Sequence, residues 1–225
     1  MRFWQRLFGL RRRSSGRDAE GRSPGGRRPA LRLSATPFAR VALLVALSVA
    51  ALAPAAAAPT EDATASVTRI YASTIEAGAK PDRLAARLAT SIDLDALSRK
   101  VLGPAYGKAT PAERKDFKAV LLEVIALELS QRIRRDQDFE IIRSKALKGG
   151  DVVVFSRLTK ADGTEKKLDW KMRPCGTRYC IYDLLGNNAS FSAARRDDYA
   201  ARLKAAGGSL AELTTALRAE VAARK

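Results

Sequence analysis

Residues 165–173 read Glu-Lys-Lys-Leu-Asp-Trp-Lys-Met-Arg, and within them Leu168, Trp170 and Met172 alternate with Lys167, Asp169, Lys171 and Arg173. A period of two places the first set on a dry face and the second on a wet one. A strand of this kind belongs in an antiparallel sheet, because strands of parallel sheets are covered on both faces and read as continuous apolar runs. Its neighbours are legible on either side. Upstream, Phe139 to Lys145 leads through Lys148-Gly149-Gly150 into Asp151 to Thr159, and Asp162-Gly163 turns the chain into Glu165 to Arg173. Downstream, Pro174 and Gly176 mark a turn into a fourth strand, Arg178 to Leu185. Connections this short predict a four-stranded antiparallel meander.

Helical patterns flank the strands. Ser66 to Ala77 carries Val67, Ile70, Tyr71 and Thr74 at helical spacing, and Lys80-Pro81-Asp82 restarts a second helix through Leu84 and Leu88. Asp93 to Leu102 forms a third, stopped by Gly103-Pro104. Thr110-Pro111-Ala112-Glu113 is a capping box with proline in the first turn, and it opens a long helix running to about Arg134. After the strands come Ser190 to Ala206, ended by Gly207-Gly208, and a last helix opened by the capping box Ser209-Leu210-Ala211-Glu212. The expected fold is α+β, a four-stranded antiparallel sheet packed on its dry face by about six helices. The long helix is apolar over more than one stripe, with Phe117, Val120, Leu121, Leu122, Val124, Ile125, Ala126, Leu127 and Leu129. A helix packed on one side needs less. It is either central to the core or lines a cavity.

Before these elements lies Val41 to Ala53, an uncharged run preceded by Arg32 and Arg40 and followed by Pro54 and Ala55 to Ala58. It reads as the apolar region of a Sec-type signal peptide with a small-residue cleavage site at Ala55 and Ala57, so residues 41–57 are expected to be removed. A membrane anchor is the competing reading, which Pro54 and the alanines weaken, since a span needs ~20 strongly apolar residues. Residues 1–40 carry eleven arginines among Gly, Ser and Pro, a composition that cannot bury a core. They are read as a misplaced start or as a basic disordered extension whose first ten residues lie on a membrane face. Residues 58–225 are expected to form a single domain.

Of the 41 Lys and Arg and 24 Asp and Glu, eleven and two precede residue 58, so the remaining 168 residues carry a net charge of +8 rather than +17. A nucleic-acid partner is therefore disfavoured, and an anionic surface or acidic partner is not. The only cysteines, Cys175 and Cys180, flank a turn, which in an oxidising compartment predicts a disulfide. Redox catalysis or metal binding there is disfavoured by the spacing and by the lack of other soft ligands. The chain contains no histidine, which removes His-based triads, imidazole proton shuttles and imidazole metal ligands. Pairs such as Asp93 with Asp95, Asp136 with Asp138 and Asp197 with Asp198 read as caps or solvated faces. No phosphate-binding loop or nucleophile motif is present, so neither a catalytic site nor a cofactor nor a metal is expected.

Ile92-Asp93-Leu94, Val101-Leu102-Gly103 with Tyr106, the Thr110 to Arg114 helix start, and the passage from Tyr182-Asp183 to Ser190 and Arg196 together resemble the MlaC family. These are periplasmic auxiliary components of phospholipid and toluene-tolerance ABC transport systems, and the similarity covers roughly residues 62 to 222. Tyr106 stands where the family has Trp, Asn188-Ala189-Ser190 where it has Gly-Val-Ser, and Arg195-Arg196 where it has Tyr-Arg. The cysteine pair lies outside the family pattern. Such departures suggest a divergent branch, for which hopanoid stands as the alternative cargo to glycerophospholipid.

The resemblance implies a cupped, NTF2-like architecture with an apolar cavity. It also implies a periplasmic shuttle for phospholipid or another membrane lipid, working between an inner-membrane ABC transporter's substrate-binding component and an outer-membrane lipoprotein complex. A two-tailed lipid exposes about 30 methylenes on leaving a bilayer, a cost on the order of 20 kcal/mol that only an apolar cavity offsets. The candidate lining is Leu168, Trp170 and Met172 from the sheet and Phe117, Leu121, Val124 and Ile125 from the long helix, with Leu102 and Tyr106 at the mouth. For each, ordinary core is the alternative. Asp183 and Arg196 are expected to pair and fix the helix begun at Ser190 against the sheet. Two other classes stay open: a small-molecule enzyme on a similar sheet, and a ligandless adaptor docking through the basic strand face of Lys167, Lys171, Arg173 and Arg178.

Overall fold

The computed structural model describes residues 58–225. The basic extension expected over residues 1–40 and the export signal expected over 41–57 lie outside the described residues. Five helices come first: α1 (Pro59–Ala77), α2 (Pro81–Leu88), α3 (Leu94–Leu102), α4 (Pro104–Lys108) and α5 (Pro111–Ser130). The strands β1 (Gln137–Ala146), β2 (Val152–Lys160), β3 (Glu165–Cys175), β4 (Arg178–Gly186) and β5 (Ala189–Ser190) follow, and α6 (Phe191–Ala205) and α7 (Leu210–Ala222) close the chain. Side-chain caps start α3, α5, α6 and α7, whereas α1 begins at Pro59 rather than at the expected Ser66. Asp93 accepts from the Ala96 N–H at 2.9 Å, Thr110 and Glu113 bond reciprocally, and Ser190 and Ser209 accept from Ala193 and Glu212. Among the described residues, no helix is long and apolar enough to cross a membrane.

The sheet order is β1-β2-β3-β4-β5 with every pair antiparallel, which is the expected meander with one strand added. The addition, β5, is a two-residue return made possible by Asn187 and Asn188, whose φ values are 49° and 68°. Two successive positive φ values suit the twist of a tight hairpin, and asparagine tolerates them. Among the described residues the helix count is seven rather than about six, because Pro104, after Gly103 has ended α3, becomes the first residue of the short α4. α5 stops at Ser130 rather than near Arg134.

The dry face is confirmed on β2 by Val152, Val154, Ser156 and Leu158 and on β3 by Leu168, Trp170 and Met172, all buried. Bulges at Ile141/Arg143 and at Lys171/Met172 add twist and bend to the sheet. α1 packs along this face against β1 to β4, while α5 packs against α2, α3 and α7. β4 breaks the alternation, since Tyr179 to Asp183 are all buried. The backbone of Ser91 and Asp93 bonds to Ile181 along its edge, and Arg173 and Lys100 lie 4.3 and 5.1 Å from the centre of the Tyr182 ring. Cys175 and Cys180 form the expected disulfide across the β3–β4 turn, their Cα atoms 5.8 Å apart.

Candidate functional site

A cavity of about 360 Å³ lies between the dry face of the sheet and the helices. Leu158, Leu168, Trp170, Ile181 and Leu184 line it from the sheet, Ile70, Tyr71 and Ile75 from α1, and Ile125 and Leu129 from α5. Leu88 and Ile92 line it at the end of α2, and Phe191 at the start of α6. Trp170 is held in place at its one polar atom. Its indole N–H donates to Ser156 Oγ at 2.8 Å, and that hydroxyl donates to the Leu168 carbonyl at 3.2 Å. With its donor satisfied, the ring presents hydrocarbon. Phe139 meets Trp170 edge to face at 6.3 Å and stacks on Tyr71 at 4.0 Å, an aromatic series that ties α1 to the sheet beside the hollow.

Polar lining gathers at one end. Gln131, Arg132, Arg134 and Gln137, in and beside the α5–β1 connection, and Lys160 and Lys166, at the β2–β3 hairpin, are half-buried or exposed there. Burial, and then Lys160 beside it, push the Lys166 ammonium down to about 8. Burial also holds the Arg132 guanidinium below its ordinary value, despite Glu128 nearby. Asp183 is the sole carboxylate of the lining among the described residues, and it is 2% exposed. It accepts from Ser190 Oγ at 2.9 Å and from the N–H groups of Leu184 and Ser192 at 3.0 and 3.1 Å, with Lys100 Nζ at 3.5 Å.

Over residues 61–219 the sequence matches the model of the MlaC protein family, a span covering most of the chain. The chain belongs to the MlaC family. Among solved structures, this MlaC-family protein is similar to the phospholipid-binding protein from Ralstonia solanacearum in complex with a phospholipid, with a TM-score of 0.59 and 20% sequence identity. The similarity covers 72% of this chain and 97% of that one, and at such identity it is a likeness of fold. No curated protein matches it in sequence.

Of the nine lining candidates in this MlaC-family protein, Ile125, Leu168 and Trp170 face the cavity. Phe117, Leu121 and Met172 are instead fully buried in the packed core. Leu121 shares a helical stripe with Ile125 and Leu129, but it lies a turn toward the N-terminus, where α5 is enclosed by other helices. Val124 points to a second, polar crevice of about 460 Å³ between α5, α6 and α7. Leu102 is core, and Tyr106 is not at the mouth. Its hydroxyl bonds to the Asp95 carboxylate, and its ring lies between Arg99 and Arg114 at 4.6 and 4.8 Å. α4 turns it back onto α3.

The expected pairing of Asp183 with Arg196 is not present. Arg196 is exposed, and the α6 start is fixed to the sheet by Asp183 through Ser190 and Ser192. The buried arginine is its neighbour Arg195, paired with Glu128 of α5. Successive helical residues point about 100° apart, so only one of Arg195-Arg196 faces inward. The α1 contribution of Ile70, Tyr71 and Ile75 and the sheet residues Leu158, Ile181 and Leu184 escaped the sequence reading. Helical spacing marked Ile70 and Tyr71, and alternation from Val154 is the signal that would have found Leu158, but neither pattern tells a hollow from a packed interior.

Proposed function

We propose that this protein is a periplasmic lipid carrier that encloses the acyl portion of a phospholipid between α1, α5 and the sheet. The observation that carries this reading is the cavity, a hollow with hydrocarbon floor and walls and polar groups at one end. Its volume of about 360 Å³ lies toward the low end of ligand sites, which run from ~300 to 1,000 Å³, so a two-tailed lipid widens it on loading. The Ralstonia solanacearum structure, of similar fold and in complex with a phospholipid, supports the assignment. MlaC family membership supports a shuttle between an ABC transporter's substrate-binding component in the inner membrane and an outer-membrane lipoprotein complex. The Cys175–Cys180 disulfide suits an oxidising compartment such as the periplasm. Binding rather than catalysis is favoured because the one lining carboxylate, Asp183, is already engaged by its neighbours.

The test is solvent extraction and mass spectrometry of the protein purified from periplasm. Near-equimolar phospholipid is expected. A hopanoid in its place would move the ligand to that class, and lipid-free protein that still docks on membrane components would establish the adaptor reading instead.

A further inference from the structure

The dry stripes of β2 and β3 both end in lysine. On β2 the buried series Val152, Val154, Ser156, Leu158 continues at the same period to Lys160, and on β3 Met172, Trp170, Leu168 continues to Lys166. Alternation alone places both on the cavity face. Both line the cavity, and Arg132 and Arg134 reach the same end from the α5–β1 connection. Grouping four cations around hydrocarbon costs repulsion and desolvation that lysines on the wet face would escape.

We propose that Arg132, Arg134, Lys160 and Lys166 form a headgroup site that selects lipids of net negative headgroup charge over zwitterionic ones. The inference rests on the carrier reading of the cavity. Phosphate oxygens accept charge-assisted hydrogen bonds from ammonium and guanidinium groups, which a desolvated setting strengthens. A zwitterionic headgroup brings its own ammonium into the same field, where the lining offers it no carboxylate, Asp183 being enclosed by Ser190, Ser192 and Lys100.

The charged groups acting on Lys166 include Lys160 from β2, Asp162 from the hairpin turn and Arg132 from the α5–β1 connection. Asp162 accepts from the Thr164 N–H at 2.9 Å. With its pKa at about 8, Lys166 loses charge in mildly alkaline solution, and a bound phosphate holds the proton on. Binding of an anionic headgroup therefore takes up protons, and the preference weakens as pH rises.

The experiment measures affinities of the purified protein, stripped of lipid, for dioctanoyl phosphatidylglycerol, phosphatidic acid and phosphatidylcholine, which share identical tails. At about pH 7 the two anionic lipids should bind about tenfold tighter than phosphatidylcholine, and for phosphatidylglycerol, whose charge is constant over this range, the ratio should shrink several-fold by about pH 9.5. In Lys160→Gln/Lys166→Gln the ratio should fall severalfold, because two of the four cations at that end are removed. Equal affinities for all three in the unaltered protein would overturn the headgroup site and leave the carrier standing. Failure of all three to bind would overturn the carrier itself. Inorganic phosphate alone binding as tightly as phosphatidylglycerol would reassign the cluster to a soluble anion and overturn the inference too. The pH series needs no variant, so a folding defect in the double substitution leaves the test intact.

Discussion

Lys166 sits on the inner face of β3, where burial and Lys160 disfavour its charged form. Its folded pKa of about 8 lies below the unfolded value near 10.4. The unfolded chain thus binds more protons between those values, and stability rises with pH across that window. Below about pH 8 the destabilisation is fully present. Lys166→Met should therefore raise Tm at pH 7 by about 2–4 °C, the shift produced by ~1 kcal/mol in a domain of this size, and the gain should shrink toward about pH 10.5 in calorimetric scans. Asp183 is the opposite case, a buried carboxylate satisfied by hydroxyl, backbone and ammonium donors. Asp183→Ala removes the acceptor of all of them, and should cost ~3–5 kcal/mol and lower Tm by roughly 10 °C. The sequence located Asp183 as a fastener of α6. It named Arg196 as the partner where the structure has Ser190, Ser192 and Lys100, the last distant along the chain.

At the scale of elements, α5 combines two roles that looked like alternatives. Its N-terminal part, with Phe117, Val120 and Leu121, is packed core, while Ile125 and Leu129 near its C-terminus line the cavity. Substitutions one turn apart should accordingly separate. Ile125→Trp is expected to fill the hollow and reduce co-purified lipid at least severalfold with Tm nearly unchanged, whereas Leu121→Trp should overpack the core and cost ~1–3 kcal/mol. Thermal melts paired with lipid mass spectrometry distinguish the two, and equal lipid loss from both would refute the division. The N-terminus of α5 depends on its box, and Thr110→Ala should cost ~1 kcal/mol in denaturant titrations without altering lipid content. That box was legible because it spans four residues of sequence. β5 was less so, since a two-residue strand carries no alternation and its only signal is Gly186-Asn187-Asn188.

Across the whole molecule the sheet has two unlike ends. One carries the disulfide and the other the lysine-edged opening, separated by the length of β3 from Cys175 to Lys166. Reduction of Cys175–Cys180 should cost about 2 kcal/mol on the chain-entropy account for so short a loop, yet leave lipid retention intact. Lipid loss in step with thiol release would show that the two ends are coupled. The sequence by itself determined the meander, the wet and dry faces of β3, the starts of the capped helices and the disulfide, because alternation, capping and turn chemistry act within a few residues. Only the tertiary structure decided which inward residues pack and which surround a hollow. A side chain's inward direction follows from its own period, but the space in front of it is set by elements far away in the chain. For Leu121 that space is filled by neighbouring helices, and for Ile125 it stands open between α1 and the sheet.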